Sequence, residues 1–303
     1  MRRSVKSTKK ALVTGASGLL GLEVVRCLSD SGFDVVGVYN SNPQLADKNY
    51  RNLKCDIGDL KSVNFLDKKI GKIDTIFHCA SMTGIDKCEK NKEACWKTNV
   101  IGTRNIIELA KKHKSKLIYI STGSVFFGEK GNYKEDDLPD AKNFYSWTKL
   151  LGEEAVLAYD GGVVVRAIPI GLHRIGRPQA NFMEWLVDSV RNNKPVNLFN
   201  DVYINAISAK SFAGILLKIP MVLERGIIHI GSGDRLSKAE IGQAVISKFP
   251  NFSGEAKSIS VDDMSENFAA RPKEMWFNID KATKLGLKMP NLKDELELIL
   301  TKK

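Results

Sequence analysis

The sequence predicts an α/β fold in which a doubly wound parallel sheet is followed by a smaller, mixed α/β lobe. Short apolar strands alternate with amphipathic helices through the first half of the chain, as a parallel sheet with helical crossovers requires. The first strand runs directly into a glycine-rich turn and a helix. After about residue 169 the regular alternation ends, so the remainder is predicted to form a lobe over the sheet.

The first strand, turn and helix form a βαβ unit with a second strand at 34–38. The strand at 11–14 is followed at once by the segment GASGLLG, residues 15–21. Its three glycines permit a tight turn, close approach of the backbone to a pyrophosphate, and close packing of helix on strand. The helix N-terminus adds unpaired N–H groups and the positive end of a dipole. The pattern predicts a dinucleotide-binding (Rossmann) unit with contacts from Gly15, Ser17, Gly18, Leu19, Leu20 and Gly21.

The end of the second strand bears on which dinucleotide is bound. An acidic residue there would bond the adenosine ribose hydroxyls and favour NAD, but residues 39–42 read Tyr-Asn-Ser-Asn. The missing carboxylate removes a repulsion against a 2′-phosphate, and Lys48 and Arg51 follow nearby. The sequence therefore predicts NADP(H) or NAD(H), with NADP favoured, and Asn40 and Ser41 as candidate contacts.

Further strands are predicted at 53–55, 75–80, 117–120 and 163–165, with helices at 60–69, at 89–112 and from residue 144. The carboxyl ends of parallel strands lie at one edge of a sheet, where ligands bind. Thr122 follows the fifth strand and Tyr145 opens the next helix, so both belong at that edge.

The C-terminal part is predicted to contain helices at 182–191, 211–217, 238–249 and 293–300, with strands near 226–230 and 257–261. We therefore expect residues 1–168 to form an NAD(P)-binding domain and residues 169–303 mainly a substrate-binding lobe. Residues from about 202 to 230 are expected to return to the first domain.

The segment Phe-Tyr-Ser-Trp-Thr-Lys, residues 144–149, carries the strongest catalytic signal. Read as a helix, it places Tyr145 and Lys149 one turn apart on the same face. A phenol titrates near pH 10, and a neighbouring ammonium is expected to lower that pKa, so that the pair serves as proton donor or acceptor. Tyr-x-x-x-Lys alone also occurs by chance, so its weight depends on the other motifs.

Those motifs are TGASGLLG, CDIGD, HCAS, NVIGT, ISTGSVFFG and YSWTK, in that order. Together they resemble the extended short-chain dehydrogenase/reductase family. Within it, STGSVFFG, YKEDDLP and FYSWTKLLGEE are similar to the dTDP-4-dehydrorhamnose reductase group, and the likeness continues to ARPKEMWFNIDKATKLGL near the C-terminus. The resemblance spans essentially the whole chain and implies an NAD(P)H-dependent reductase of a nucleotide-linked keto-deoxysugar.

The resemblance implies that Tyr145 donates a proton to the substrate carbonyl oxygen while the nicotinamide delivers hydride to the carbon. Lys149 would lower the phenol pKa and hold the nicotinamide ribose, Thr122 would bond the same oxygen, and Asn99 would support the Lys149 side. Besides Tyr145 and Lys149, further cofactor contacts are implied for Asp56, Ile57, Cys79, Ala80 and Ser81. Substrate contacts are implied for Met82, Thr122, Ser124, Val125, Arg166 and Arg271.

Four arginines are candidates to hold the nucleotide diphosphate, because guanidinium groups match phosphate oxygens. They are Arg166, Arg174, Arg177 and Arg271, and each could equally be a surface or packing residue.

Several segments depart from the group. Gly123-Ser124 replaces its usual acidic and aromatic pair, and the absence of an Asp-Glu pair there argues against a 4,6-dehydratase. Residues 166–171 lack the usual aromatic Ser-Trp pair, so the sugar-facing lobe is altered while the cofactor motifs are kept. Two alternatives therefore stay open: an NAD-dependent sugar-nucleotide epimerase, or a non-catalytic NADP-binding regulatory subunit like that of methionine adenosyltransferase, which belongs to the same group.

Composition narrows the remaining classes. The net charge is +11, but Lys and Arg are spread among acids, so nucleic-acid binding is not expected. Five cysteines without a Cys-x-x-Cys motif support neither a disulfide framework nor a metal site. No apolar run reaches the roughly 20 residues that span a bilayer, and no secretory signal is evident. We expect a cytoplasmic protein that binds a small sugar nucleotide, with no membrane partner and with a homodimer as a candidate assembly.

Overall fold

The computed structural model describes residues 8–41, 50–173, 181–263, 269 and 271–301. At its centre is a seven-stranded parallel sheet. Its strands are β1 (Lys10–Thr14), β2 (Asp34–Tyr39), β3 (Arg51–Lys54), β4 (Thr75–His78), β5 (Lys116–Thr122), β6 (Gly162–Ala167) and β11 (Gly226–Ile230). They lie side by side in the order β11-β6-β5-β4-β1-β2-β3. The predicted doubly wound sheet is confirmed.

The order of the strands reverses at β1. This strand pairs with β2 on one side and β4 on the other, and Thr14 lies opposite both Val38 and His78. Ligands of open α/β sheets bind at such a reversal, outside the carboxyl ends of the strands. The same edge receives the end of β5, where Thr122 lies opposite Ala167 of β6.

Helices cover both faces of the sheet because its strands are apolar on both sides. Ala11 and Val13 enter one core together with α1 and α8, and Leu12 enters the other with α2, α5 and α6. The helices are α1 (Leu19–Asp30), α2 (Leu60–Ile70), α3 (Ile85–Lys90), α4 (Lys92–Trp96), α5 (Gly102–His113), α6 (Phe144–Leu157), α7 (Phe182–Arg191), α8 (Ala209–Leu216), α9 (Ile219–Val222), α10 (Lys238–Ile246), α11 (Asp280–Lys284) and α12 (Leu292–Leu300).

The single long helix predicted at 89–112 is wrong. The chain forms α3, then α4, then a π-helical turn at Lys97–Ile101, and only then α5. Asn91 interrupts the helix because its backbone is not helical, with φ −134° and ψ 59°. The π-helical turn contains Asn99, and such turns are frequent at functional sites because they redirect a side chain.

The C-terminal lobe has its own core, formed mainly by α7, α10 and α12. Short strands complete it as the pairs β7 (Pro169–Ile170) with β10 (Ile207–Ser208), β8 (Val196–Phe199) with β13 (Ala256–Ile259), and β9 (Tyr203–Ile204) with β12 (Leu236–Ser237). Strand β11 instead belongs to the central sheet, and helix α8 packs against that sheet, while the division at residue 168 remains a prediction. In the part of the chain that the structure describes, every helix is too short or too polar to cross a membrane.

Candidate active site

The turn between β1 and α1 forms a cradle at the reversal point of the sheet. Gly15 has a positive φ of 67°, and a Cβ there would lie 2.8 Å from the backbone nitrogen of Ala80 at the end of β4. A Cβ on Gly21 would overlap the carbonyl oxygen of Gly15. Helix α1 starts without a side-chain cap and without an acidic residue in its first turn. Its N–H groups are therefore available to phosphate, and the glycines predicted to hold a dinucleotide form a turn that fits one.

The other predicted cofactor contacts lie along the same edge of the sheet. Asn40 and Ser41 follow β2, whereas Cys79, Ala80 and Ser81 follow β4. Asp56 follows β3, where its carboxylate accepts a hydrogen bond from Gly58 N at 2.9 Å and pairs with Lys97 Nζ at 2.8 Å. The side chain of Ile57 is buried against Gly102, so it is not available to a cofactor. Lys48, which follows Asn40 and Ser41, lies outside the described residues.

Asn99 connects the loop after β4 to helix α6. Its Oδ1 accepts hydrogen bonds from Met82 N at 2.8 Å and Ser81 Oγ at 3.0 Å. Its Nδ2 donates to Thr148 Oγ1 at 3.0 Å, and Thr148 in turn donates to the carbonyl oxygen of Tyr145 at 2.8 Å. Asn99 is almost completely buried, so it acts by positioning these segments rather than by touching a ligand.

A second buried chain of hydrogen bonds, which sequence reasoning missed, connects Asn99 to the ends of β1 and β4. His78 is bonded through Nδ1 to Thr14 Oγ1 at 2.6 Å and through Nε2 to Thr103 Oγ1 at 3.1 Å. Thr103 donates to the carbonyl oxygen of Asn99 at 2.6 Å, and Thr14 accepts from Ala80 N at 3.2 Å. Burial lowers the pKa of His78 to about 3, so the imidazole is neutral and serves to fix the ends of β1 and β4.

Tyr145 and Thr122 meet at the carboxyl end of β5. Helix α6 begins at Asn143, whose side chain accepts a hydrogen bond from Ser146 N at 2.9 Å, and this cap sets the start of the helix that carries Tyr145. The hydroxyl of Thr122 lies close enough to the phenol of Tyr145 to act on its pKa. Burial raises the pKa of Tyr145, and the Thr122 contact offsets only part of that rise. The phenol is therefore protonated at neutral pH.

The expected lowering of the Tyr145 pKa by Lys149 is not found. The ammonium of Lys149 instead donates to the carbonyl oxygen of Ile120 at 2.7 Å and lies 3.9 Å from the centre of the Tyr119 ring. Burial lowers the pKa of Lys149 to about 7, and the negative charge of Glu153 acts against that shift. The two residues share helix α6 as predicted, but the lysine is turned toward β5.

Arg166 does not bind a phosphate, contrary to its predicted role. It is 1% exposed and forms an ion pair with Glu153, with Nη2 2.7 Å from Oε2 and Nε 3.0 Å from Oε1. Ser121 donates to the same carboxylate, and Arg166 Nη1 is 3.3 Å from Nε2 of His229. The guanidinium also lies 4.9 Å from the Phe126 ring centre. Each of its three nitrogen atoms has a protein partner, so this arginine joins α6 to β6 and β11.

The predicted substrate contacts divide into buried and accessible residues. Val125 is fully buried, because the turn at Gly123–Val125 directs it into a small core with Phe126, and its side chain cannot meet a substrate. Ser124 is half-buried beside Thr122, whose Oγ1 accepts from Ser124 N at 3.2 Å. Arg271 is partly exposed and forms an ion pair with Asp86 of α3. Arg174 and Arg177 lie outside the described residues.

The geometry agrees with comparisons to known proteins. The family model described as the RmlD substrate binding domain matches residues 9–303. The chain belongs to this family.

Three relatives of this member of the RmlD substrate binding domain family are informative. A crystal structure of a hypothetical dTDP-4-dehydrorhamnose reductase from Sulfolobus tokodaii is 35% identical, with a TM-score of 0.77, covering 91% of this chain and 94% of that one. The Probable low-salt glycan biosynthesis reductase Agl14 of Haloferax volcanii is 28% identical over 94% of this chain and 95% of its own length. The methionine adenosyltransferase 2 subunit beta of Xenopus laevis is 28% identical over 92% of this chain and 83% of its own.

Within the RmlD substrate binding domain fold, the site brings together a protonated phenol, a second hydroxyl and a buried amine. This set can donate a proton to an oxygen atom held between Tyr145 and Thr122.

The ion pair of Glu153 and Arg166 was not predicted, although Glu153 follows Lys149 by one helical turn in the sequence. That spacing was the available signal, because a carboxylate one turn from a buried lysine is placed to act on its charge.

Proposed function

We propose that this chain is an NAD(P)H-dependent reductase of a nucleotide-linked keto-deoxysugar. The observation that carries the proposal is that Thr122, at the end of β5, lies close enough to the Tyr145 phenol to act on its pKa, at the sheet edge that also carries the glycine cradle. A carbonyl oxygen between these hydroxyls would receive a hydrogen bond from each. The reductases among its relatives, named for dTDP-4-dehydrorhamnose and for glycan biosynthesis, support this class of substrate.

The cofactor would be held by the backbone of the cradle at Gly15, Gly18 and Gly21, with its adenosine end toward Asn40 and Ser41. When bound, the reduced nicotinamide supplies hydride to the carbonyl carbon. The end of β2 carries no carboxylate that would repel a 2′-phosphate, so NADP(H) is the preferred form.

Tyr145 is the proton donor in this proposal. Its raised pKa keeps the proton in place until charge develops on the substrate oxygen, and an alkoxide is far more basic than a phenol. Thr122 holds the same oxygen and orients the phenol. Lys149 fixes the end of β5 through the Ile120 carbonyl and places a positive charge close to the site when protonated. Asn99 fixes α6 relative to the loop after β4 that contains Met82, so that the hydroxyls of Tyr145 and Thr122 stay aligned.

Two other functions remain rivals. The likeness to a methionine adenosyltransferase subunit beta favours a regulatory role, in which the cofactor binds without turnover of a sugar. An epimerase would use the same fold but would retain its NAD and consume none. A cytoplasmic location and a homodimeric assembly are part of the proposal for the reductase.

A panel of nucleotide-linked 4-keto sugars tests these functions against each other. NADPH and NADH oxidation would be followed by absorbance, and the sugar products by mass spectrometry. The reductase predicts one reduced sugar formed for each NADPH consumed. Interconversion of sugar isomers without cofactor consumption would identify an epimerase. Tight NADPH binding with no sugar converted would overturn the enzymatic proposal and favour the regulatory subunit.

A further inference from the structure

One face of helix α6 lies against three consecutive residues at the end of strand β5. The helix residues follow one another at intervals of four positions: Tyr145, Lys149 and Glu153. The strand residues are Ile120, Ser121 and Thr122. Lys149 Nζ donates to the Ile120 carbonyl oxygen at 2.7 Å. The Ser121 hydroxyl donates to the Glu153 carboxylate. Glu153 therefore belongs to the same contact between helix and strand as the residues that the proposed reaction uses.

The Glu153 carboxylate is held by protein groups. It is 1% exposed and accepts hydrogen bonds from Arg166 Nη2 at 2.7 Å and Arg166 Nε at 3.0 Å, besides the one from Ser121. Charge-assisted hydrogen bonds of this kind fix the position of a carboxylate. Because Glu153 is almost completely buried, it can affect a reaction at the sheet edge only through its neighbours.

Lys149 is the neighbour whose charge depends on this carboxylate. It is buried, and its ammonium contacts the Ile120 carbonyl and the Tyr119 ring, whose centre is 3.9 Å away. A carbonyl and an aromatic face attract a cation but carry no net negative charge to compensate it. Burial lowers the pKa of Lys149 to about 7, and Glu153 has the largest effect among the groups that oppose this shift. Lys149 is thus close to losing its proton at neutral pH, and Glu153 acts against that loss.

Other titratable groups surround Lys149 but contribute less charge. They are His78 of β4, Cys79 after β4, Cys95 of α4, Tyr119 of β5 and Tyr145 of α6. Burial lowers the pKa of His78 to about 3 and raises the pKa values of Cys79 and of both phenols, so these four groups are uncharged at neutral pH. Cys95 accepts a hydrogen bond from Asn99 Nδ2 at 3.3 Å, and its charge affects Lys149 less than that of Glu153 does. Glu153 is therefore the principal counter-charge of Lys149.

We propose that Glu153 is a positioning residue of the active site, which keeps Lys149 protonated at neutral pH and holds α6 on the end of β5. Ser121 and Arg166 fix the carboxylate for this role. An ammonium at the site stabilises the negative charge that develops on the substrate oxygen, whereas a neutral amine does not. The effect on rate rests on the proposed function, but the charge of Lys149 is a property of the protein without ligands.

The pKa of Lys149 can be measured directly in the free protein. NMR spectra of protein labelled with ¹³C at the lysine Cε would be recorded as the pH is varied, and loss of a signal in Lys149→Met would assign it. The test variant combines Glu153→Gln with Arg166→Met, because removing both partners leaves no buried guanidinium without a counter-charge. Glu153→Leu combined with Arg166→Leu, an apolar pair, replaces it if the first double variant does not fold.

Two further variants separate the loss of charge from the loss of packing. Glu153→Asp keeps the negative charge and shortens the side chain by one methylene. Glu295→Gln removes a different buried carboxylate, which belongs to α12 and accepts from Ser208 N at 2.6 Å and Ser211 Oγ at 2.7 Å. This control should destabilise the protein without changing the charge beside Lys149.

We expect the pKa of Lys149 to fall by about one unit or more in the double variant, as the loss of an adjacent opposite charge implies. Glu153→Asp should keep it near the wild-type value of about 7, and Glu295→Gln should leave it unchanged. The same Lys149 pKa in wild type and the double variant overturns the proposal. An equal fall in Glu295→Gln also overturns it, because the shift would then follow from lost stability rather than from lost charge.

The pH dependence of kcat connects this charge to the reaction. Lys149 loses its proton as the pH rises through its pKa, so kcat should fall on the alkaline side, and at a lower pH in the double variant than in wild type. Glu153→Asp should restore the wild-type profile. A shifted Lys149 pKa without turnover of any sugar contradicts the reductase and leaves the assignment of Glu153 intact. Turnover with the same alkaline profile in wild type and the double variant supports the reductase and contradicts the role of Glu153.

Discussion

Two lysines with lowered pKa values, one at the sheet edge and one in the lobe, show how differently these regions are built. Lys149 has a carbonyl acceptor at 2.7 Å, and the Glu153 carboxylate acts on its charge. Lys238 faces two phenyl rings and a like-charged arginine. The charge of Lys149 is therefore held by a hydrogen-bond acceptor and a carboxylate, whereas the Lys238 ammonium, among the residues that the structure describes, is held by aromatic rings. A lysine in a dry environment can thus be stabilised either by an acceptor and a counter-charge or by the faces of aromatic rings.

The largest expected effect on stability comes from breaking the ion pair behind the sheet edge. Glu153→Gln would leave the Arg166 guanidinium buried without its counter-charge, which typically costs about 3–5 kcal/mol. Urea denaturation of the variant and wild type would measure the change. Glu255→Gln is the matched control, because its pair with Lys257 is exposed and worth about 1 kcal/mol or less. Equal losses of stability in the two variants would mean that the buried ion pair contributes no more than the exposed one.

A smaller effect, measured as a loss of cofactor affinity, is expected at the glycine cradle. Gly21→Ala adds a Cβ that would overlap the Gly15 carbonyl oxygen, so the turn must open and its N–H groups move. We expect NADPH affinity, measured by fluorescence titration, to fall at least tenfold, or about 1.4 kcal/mol. Gly214→Ala in α8 is the control, since its Cβ would meet no atom within 4 Å and should stabilise the helix slightly. Unchanged NADPH affinity in Gly21→Ala would show that the glycine cradle does not hold the cofactor.

The most gradual effect is a pH dependence of stability that comes from Lys149. Its pKa is lowered to about 7 in the folded protein from the ordinary value of 10.5, so the unfolded chain binds more protons between those pH values. The free energy of unfolding of wild type should therefore rise with pH relative to Lys149→Met, by about 1 kcal/mol per unit from pH 7 to 9. Urea unfolding at pH 7, 8 and 9 would measure the difference, and parallel curves for the two proteins would mean that Lys149 stays charged in the fold.

The parts of the structure that could be predicted from the sequence are those that local patterns determine. The parallel sheet and the glycine turn follow from local patterns, because apolar strands and glycine spacing are visible in the chain itself. The break at Asn91 and the π-helical turn were missed, since a helical pattern of apolar residues does not reveal a single residue with non-helical backbone. Helix α7 was predicted with its observed limits, 182–191, because its apolar spacing is strong and a capping box fixes its start.

The sequence predicted which residues form the candidate site better than it predicted their pKa values and ion pairs. Tyr145 and Thr122 come together as expected, but the direction of the Tyr145 pKa shift depends on burial, which helical spacing does not show. Arg166 was assigned to a ligand because its partner, Glu153, is 13 positions away and the pair forms only when α6 packs on β6. Lys238 was not singled out at all, because its position between two aromatic rings is a property of the folded lobe.

The most direct test of the central claim is the rate of sugar reduction by Tyr145→Phe, measured with the substrate found in the panel. Tyr159→Phe is the control, because its hydroxyl donates to the Ser115 carbonyl at the opposite edge of the sheet. We predict that kcat of Tyr145→Phe falls roughly a hundredfold or more while NADPH affinity is unchanged, as the loss of a proton donor requires. Tyr159→Phe should keep the wild-type rate. Turnover by Tyr145→Phe at the wild-type rate would contradict the account, because the proton would then come from another group.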